Sequence, residues 1–115
     1  QDLHHLAMNH VGKELEKQGF EFIAINSQLK KHPQFVCVDK PTNTLHFVMV
    51  QAVTYPDNPA DYDVLFMETF INHAKGKKAK VLYAGVGFAN AEDFEKPVFK
   101  NQDYILNYEG IKEIL

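Results

Sequence analysis

Leu3, Leu6, Ala7, Val11 and Leu15 recur at three- and four-residue steps with polar residues between them. That spacing marks one face of an amphipathic helix. Gly19 stands where a helix terminator belongs, so the first helix is predicted to end near Gln18. The period then shortens: Phe20 to Ile25 reads as a strand ending at Asn26. A polar stretch, Ser27 to His32, is closed by Pro33, and Phe35 to Val38 forms a second strand. Asp39 to Asn43 carries turn residues, and Leu45 to Val53 follows as a third strand. So short a turn predicts an antiparallel hairpin.

Asp57, Asn58 and Pro59 read as a helix start, with Asn58 as N-cap and Pro59 in the first helical position. Tyr62, Leu65, Phe66, Thr69, Phe70 and His73 keep helical spacing up to Gly76. Lys80 to Phe88 is an apolar strand that needs cover on both faces. A short helix is predicted from Asn90 to Glu95, stopped by Pro97. Asp103 to Tyr108 alternates as a last strand, and Gly110 to Leu115 is an amphipathic tail. The order α-β-β-β-α-β, with a hairpin followed by a crossover helix, predicts an α/β (mixed α+β) fold: a mixed sheet flanked by helices.

Composition narrows the class. The 115 residues, without repeat or linker, are expected to make one domain over 1–115. A 45% hydrophobic content with nine Phe supplies a core and excludes a disordered chain. No apolar run approaches the ~20 residues of a membrane span. No signal peptide opens the sequence either, so a cytoplasmic location and no membrane partner are expected. Cys37 is the one cysteine. It excludes an iron–sulfur cluster, which needs about four thiolates, and every CxxC motif. No cofactor and no metal are expected.

Charge changes the picture once more. Twelve lysines and no arginine face fifteen acidic residues, a net of −3. Arginine supplies the bidentate fork of specific nucleic-acid interfaces. Its absence leaves weak, salt-sensitive contact through lysine as the expected limit of nucleic-acid binding.

The element order resembles the core of the PD-(D/E)XK superfamily, the restriction-endonuclease-like fold. The similarity is greatest to small bacterial relatives of archaeal Holliday-junction resolvases. Their first helix ends in Leu-x-x-x-Gly-Tyr/Phe, as Leu15 to Gly19 and Phe20 do here. Their next strand ends in Asn, matched by Asn26, and their third has the form Phe-Val-Glu-Val-Lys. Phe47, Val48, Met49, Val50 and Gln51 occupy that strand, and the match covers about the first 85 residues. The resemblance implies a site of carboxylates converging on Mg²⁺, with a lysine that positions water. Residue by residue those groups are replaced: Met49 for the strand Glu, Gln51 for the Lys, Gln34 for the strand Asp, and Met8 near the first-helix Glu. Methionine is a poor ligand for a hard cation. The implied protein is a nuclease-fold relative with no catalytic residue.

Other constellations have plain structural accounts. His4 and His5 are neighbours that point to different sides, and no His-x-x-x-His pair has a nearby Glu, so solvated or locally bonded histidines are expected. Asp61, Glu68, Asn72 and His73 share the second helix, where an exposed polar face is the simpler reading. Gly85 and Gly87 lead toward Asn90, a place that can hold an anion, although structural glycines and an N-cap Asn90 fit better. Lys75, Lys77, Lys78 and Lys80 complement a helix C-terminus. Cys37 lies in an apolar strand and is expected to be buried and inert.

The expectation is a non-catalytic binding or scaffolding protein, with a protein partner or self-association as a homodimer. Two alternatives stand beside it. One is weak nucleic-acid binding through Lys30, Lys31, Lys77, Lys78 and Lys80. The other is a small-molecule or nucleotide pocket that brings Tyr55, Glu68, Asn72 and Asn90 together.

Overall fold

The computed structural model describes residues 2–26, 33–98 and 103–114. Among them the chain forms two helices and a six-stranded mixed sheet. The order is α1 (Asp2–Lys17), β1 (Phe20–Ile25), β2 (Phe35–Asp39), β3 (Thr44–Thr54), α2 (Val64–Gly76), β4 (Lys80–Asn90), β5 (Tyr104–Tyr108) and β6 (Lys112–Glu113). The strands lie side by side as β1-β2-β3-β4-β5. β6 pairs with Leu82 and Tyr83 of β4, short of the Val86–Asn90 stretch that β5 takes. β3 and β4 are parallel and joined through α2; the other pairs are antiparallel.

Parallel strands covered on both faces must be apolar throughout, and side-chain alternation divides β3 and β4 between two helices. Val48, Val50, Leu82, Ala84, Val86 and Phe88 pack with Ala7, Met8, Val11 and Leu15 of α1. Phe47, Met49, Val81 and Tyr83 pack with Met67, Phe70 and Ala74 of α2. Each large side chain so buried contributes about 1.5–3 kcal/mol, which is why α1 and α2 sit on opposite faces of one sheet.

The first helix ends as its sequence predicts. Gly19 takes φ 91° and its N–H reaches the Glu16 carbonyl at 3.0 Å, a left-handed conformation open to glycine without penalty. Leu6, however, lies outside the buried stripe and is exposed. It falls about 100° round the helix from Ala7, while His4 falls within the stripe and is buried rather than solvated. β2 and β3 form the hairpin, with Asp39 opposite Thr44 and Asn43 at φ 57° in the turn.

Two helix boundaries are corrected. α2 begins at Val64, with Asp63 as N-cap accepting the Phe66 N–H at 3.1 Å. Asn58 and Pro59 lie in a turn instead. The Asn58 side chain accepts the Ala60 N–H at 2.9 Å, and the Pro59 carbonyl accepts the Tyr83 hydroxyl at 2.5 Å. The buried stripe of α2 is accordingly Met67, Phe70 and Ala74, leaving Leu65 and Phe66 exposed. The short helix at Asn90–Glu95 does not form, because β4 continues to Asn90 and the following residues turn. Asp93 binds the Glu95 N–H through its side chain and the Lys96 N–H through its carbonyl, both at 3.0 Å. Local turn bonds of this kind compete with a helix too short to nucleate alone. The C-terminal tail contributes β6.

Candidate functional site

The four positions where the resemblance implies a metal site are absorbed by the fold. Met8 is buried in the α1-side core and Met49 in the α2-side core, on opposite faces of the sheet. Gln34 is 0% exposed and acts as an extra rung between strands. Its Oε1 accepts the Val50 N–H at 2.9 Å, and its backbone N–H reaches the Val48 carbonyl at 3.0 Å. The Gln51 amide donates to the Asp61 carbonyl at 2.9 Å, tying β3 to the turn before α2. These side chains do not converge on one point. Among the described residues, no three His, Cys, Asp or Glu side chains stand together where they could hold a metal ion.

The expected ligand pocket is dispersed as well. Glu68 and Asn72 are exposed on α2. Asn90 is buried and bonded within the chain: its Oδ1 accepts the Glu92 and Asp93 N–H groups at 2.9 and 3.3 Å, and its Nδ2 donates to the Pro97 carbonyl at 2.9 Å. Those two accepted bonds are the N-cap pattern without a helix behind it. Gly85 and Gly87 serve packing. A Cβ at Gly85 would lie 1.9 Å from the Pro59 oxygen, and one at Gly87 would lie 3.2 Å from both Pro59 and Asn107. Lys77, Lys78 and Lys80 are exposed at the end of α2, with Lys80 3.9 Å from Glu113. Lys30 and Lys31 lie outside the described residues.

Of the expected pocket residues, Tyr55 lines a groove. β3 and β4 end together, Thr54 opposite Phe88, and the Tyr55 N–H reaches the Phe88 carbonyl at 2.9 Å. Just beyond, a groove of about 310 Å³ opens among Tyr55, Asp57, Ala89, Phe94, Ile105 and Asn107. Its origin is in β4, whose every second residue from Gly85 through Gly87 to Ala89 is small. Pro59 fills the space over the two glycines; over Ala89 the space stays open. The Tyr55 and Phe94 rings stand 5.4 Å apart at 54°, a paired aromatic wall. Tyr55, Phe94 and Ile105 remain 49, 46 and 43% exposed. In open α/β sheets, ligands bind outside the carboxyl ends of the strands, which is where this groove lies. Phe94, Ile105 and Asp57 were not among the expected pocket residues; the period-two run of small residues was the signal available.

A second groove, of about 530 Å³, lies between α1 and β1 over Met8, Phe22 and Phe35. Lys13 and Glu16 share its rim, so its charge is balanced.

Cys37, Tyr83 and Tyr108 are held neutral. Burial pushes the Cys37 thiol up to about 11, so it is no nucleophile at neutral pH. Burial, reinforced by the charges of Asp61 and Tyr62, pushes Tyr83 up to about 12. Tyr108 donates a hydrogen bond to Glu14, joining β5 to α1. Burial, that bond and the Glu14 charge raise its hydroxyl well above the usual phenol range.

The fold and groove define a mixed α/β domain with a small apolar site at the end of its parallel strand pair. The chain belongs to a family described as a domain of unknown function, DUF8840, whose model matches residues 1–114. No curated protein matches the chain, and no solved structure does. Among the described residues, no helix is long and apolar enough to cross a membrane.

Proposed function

We propose that this chain is a cytoplasmic binding domain of restriction-endonuclease-like fold, without nuclease activity, whose work is association with another protein. The observation that carries the reading is the Tyr55–Phe94 groove. It gathers three large, half-exposed apolar side chains round one concavity, the composition of a recognition surface rather than of ordinary protein surface. The degenerate positions support the same reading. A carboxylate at Met8 or Met49 would have to be buried in hydrocarbon, and Gln34 already uses its side chain to join strands.

A fragment screen read by backbone-amide NMR tests it. Apolar and aromatic fragments are expected to collect at Tyr55, Ala89, Phe94 and Ile105. Fragments scattered over the surface, or gathered at the α1–β1 groove instead, would contradict the assignment. A second reading, weak contact with nucleic acid, rests on the exposure of Lys77, Lys78 and Lys80. It predicts single-stranded DNA binding that falls steeply with salt.

A further inference from the structure

The groove's surroundings identify what it takes. The segments from which its lining residues Tyr55, Asp57, Phe94, Ile105 and Asn107 come, 54–63, 90–98 and 103–108, hold seven acidic residues and a single lysine, Lys96. Their net charge is −6 in a chain whose total is −3, so the remainder of the molecule is positive. Asp57 lines the groove itself. Asp103 is held beside the Phe94 loop, its carbonyl accepting the Ala91 N–H at 3.3 Å. Aromatic faces attract cations through their quadrupole. A low-dielectric cleft ringed by one sign of charge concentrates the opposite sign. Aromatic pair, Asp57 carboxylate, acidic flanking segments and apolar floor together fit an ammonium or guanidinium group on an apolar stem, and disfavour phosphates and carboxylates.

β5 supplies the backbone register. It ends the path of paired strands, so among the described residues no strand pairs with its outer side. Its Ile105 and Asn107 face the groove, opposite Ala89 and Gly87 of β4. A segment adding to that edge would place every second side chain on the groove's face.

We propose that the Tyr55–Phe94 groove binds lysine or arginine side chains of an extended, basic segment of a partner protein laid along β5. The proposal rests on the groove being a binding site and adds the chemistry of its occupant. The test is an NMR titration of the whole chain with a short peptide alternating arginine and valine, against the same peptide carrying neutral citrulline for arginine. The arginine peptide is expected to shift Tyr55, Asp57, Phe94 and Ile105 and to bind about fivefold tighter than the citrulline peptide. Its affinity should fall as ionic strength rises and the acidic charges are screened. Tyr55→Leu and Phe94→Leu, both at exposed positions, should each weaken it while leaving circular dichroism and melting unchanged.

Equal binding of both peptides at the groove would overturn the cationic occupant and leave the apolar site standing. No shift at the groove with either peptide would overturn both. Salt-sensitive self-association, abolished by the same two substitutions, would assign the lysines to a second copy of this chain and overturn a separate partner.

Discussion

β3 and β4 keep one parallel register from His46 opposite Lys80 to Thr54 opposite Phe88, yet the two ends of that pair are chemically opposite. Where β4 begins, α2 delivers Lys75, Lys77 and Lys78 to solvent and Lys80 follows. Where β3 and β4 finish, an aromatic groove carries the Asp57 carboxylate in its lining, on segments rich in Asp and Glu. The basic end is accounted for within the chain: lysines complement the negative end of a helix, and Lys80 faces Glu113. At the acidic end Asp63 caps α2 and Asp93 shapes its loop, but Asp57, Tyr55 and Phe94 surround open space. The strand pair decides where a site can lie. The connections decide what it can bind.

The sharpest way to break this contrast is to put a charge into the middle of the pair. Met49→Glu buries a carboxylate between β3 and α2 and is expected to cost about 3 kcal/mol or more in urea unfolding. Gln51→Lys, half-exposed and able to donate to the same Asp61 carbonyl, should cost under about 1 kcal/mol. Gly85→Ala comes next. Its methyl cannot coexist with the Pro59 oxygen, so the turn before α2 must lift, at about 1–3 kcal/mol, and NMR shifts should spread to Tyr55 and Asp57.

Alkaline pH probes the same turn. Tyr83 has its pKa raised from 10 to about 12, so the folded state holds the proton more tightly than the unfolded chain. Its contribution is complete below pH 10 and is lost as pH rises toward 12. Cys37, raised from 9 to about 11, behaves alike one unit lower. The urea midpoint should therefore be level up to pH 9 and fall beyond it, and Tyr83→Phe should make that fall shallower. The smallest effect belongs to the basic end: Lys77→Ala or Lys78→Ala should move stability by no more than about 0.5 kcal/mol.

β3 and β4 were legible because burial on two faces leaves a continuous apolar run, whereas β5 showed apolar residues in sequence although most of its side chains stay exposed. The start of α2 was not legible. Asn58-Pro59 and Asp63 are both good cap chemistry, and the decision between them rests on Tyr83, twenty-four residues from Pro59 in sequence, capturing the proline's carbonyl. Asn90 misled in the same way, since its side chain makes cap bonds whether or not a helix follows. The groove was the least legible feature. Tyr55, Phe94 and Ile105 are far apart in the chain and meet only because β5 returns beside β4.

The proposal that the chain has no nuclease activity is tested most directly by titrating it with Mg²⁺ and Mn²⁺ in a calorimeter. The same sample is assayed at low salt on branched and single-stranded DNA. No heat of binding and no cleavage are predicted. Saturable metal binding with cleavage would contradict the account and place working carboxylates elsewhere, with the exposed Glu68 the first to replace.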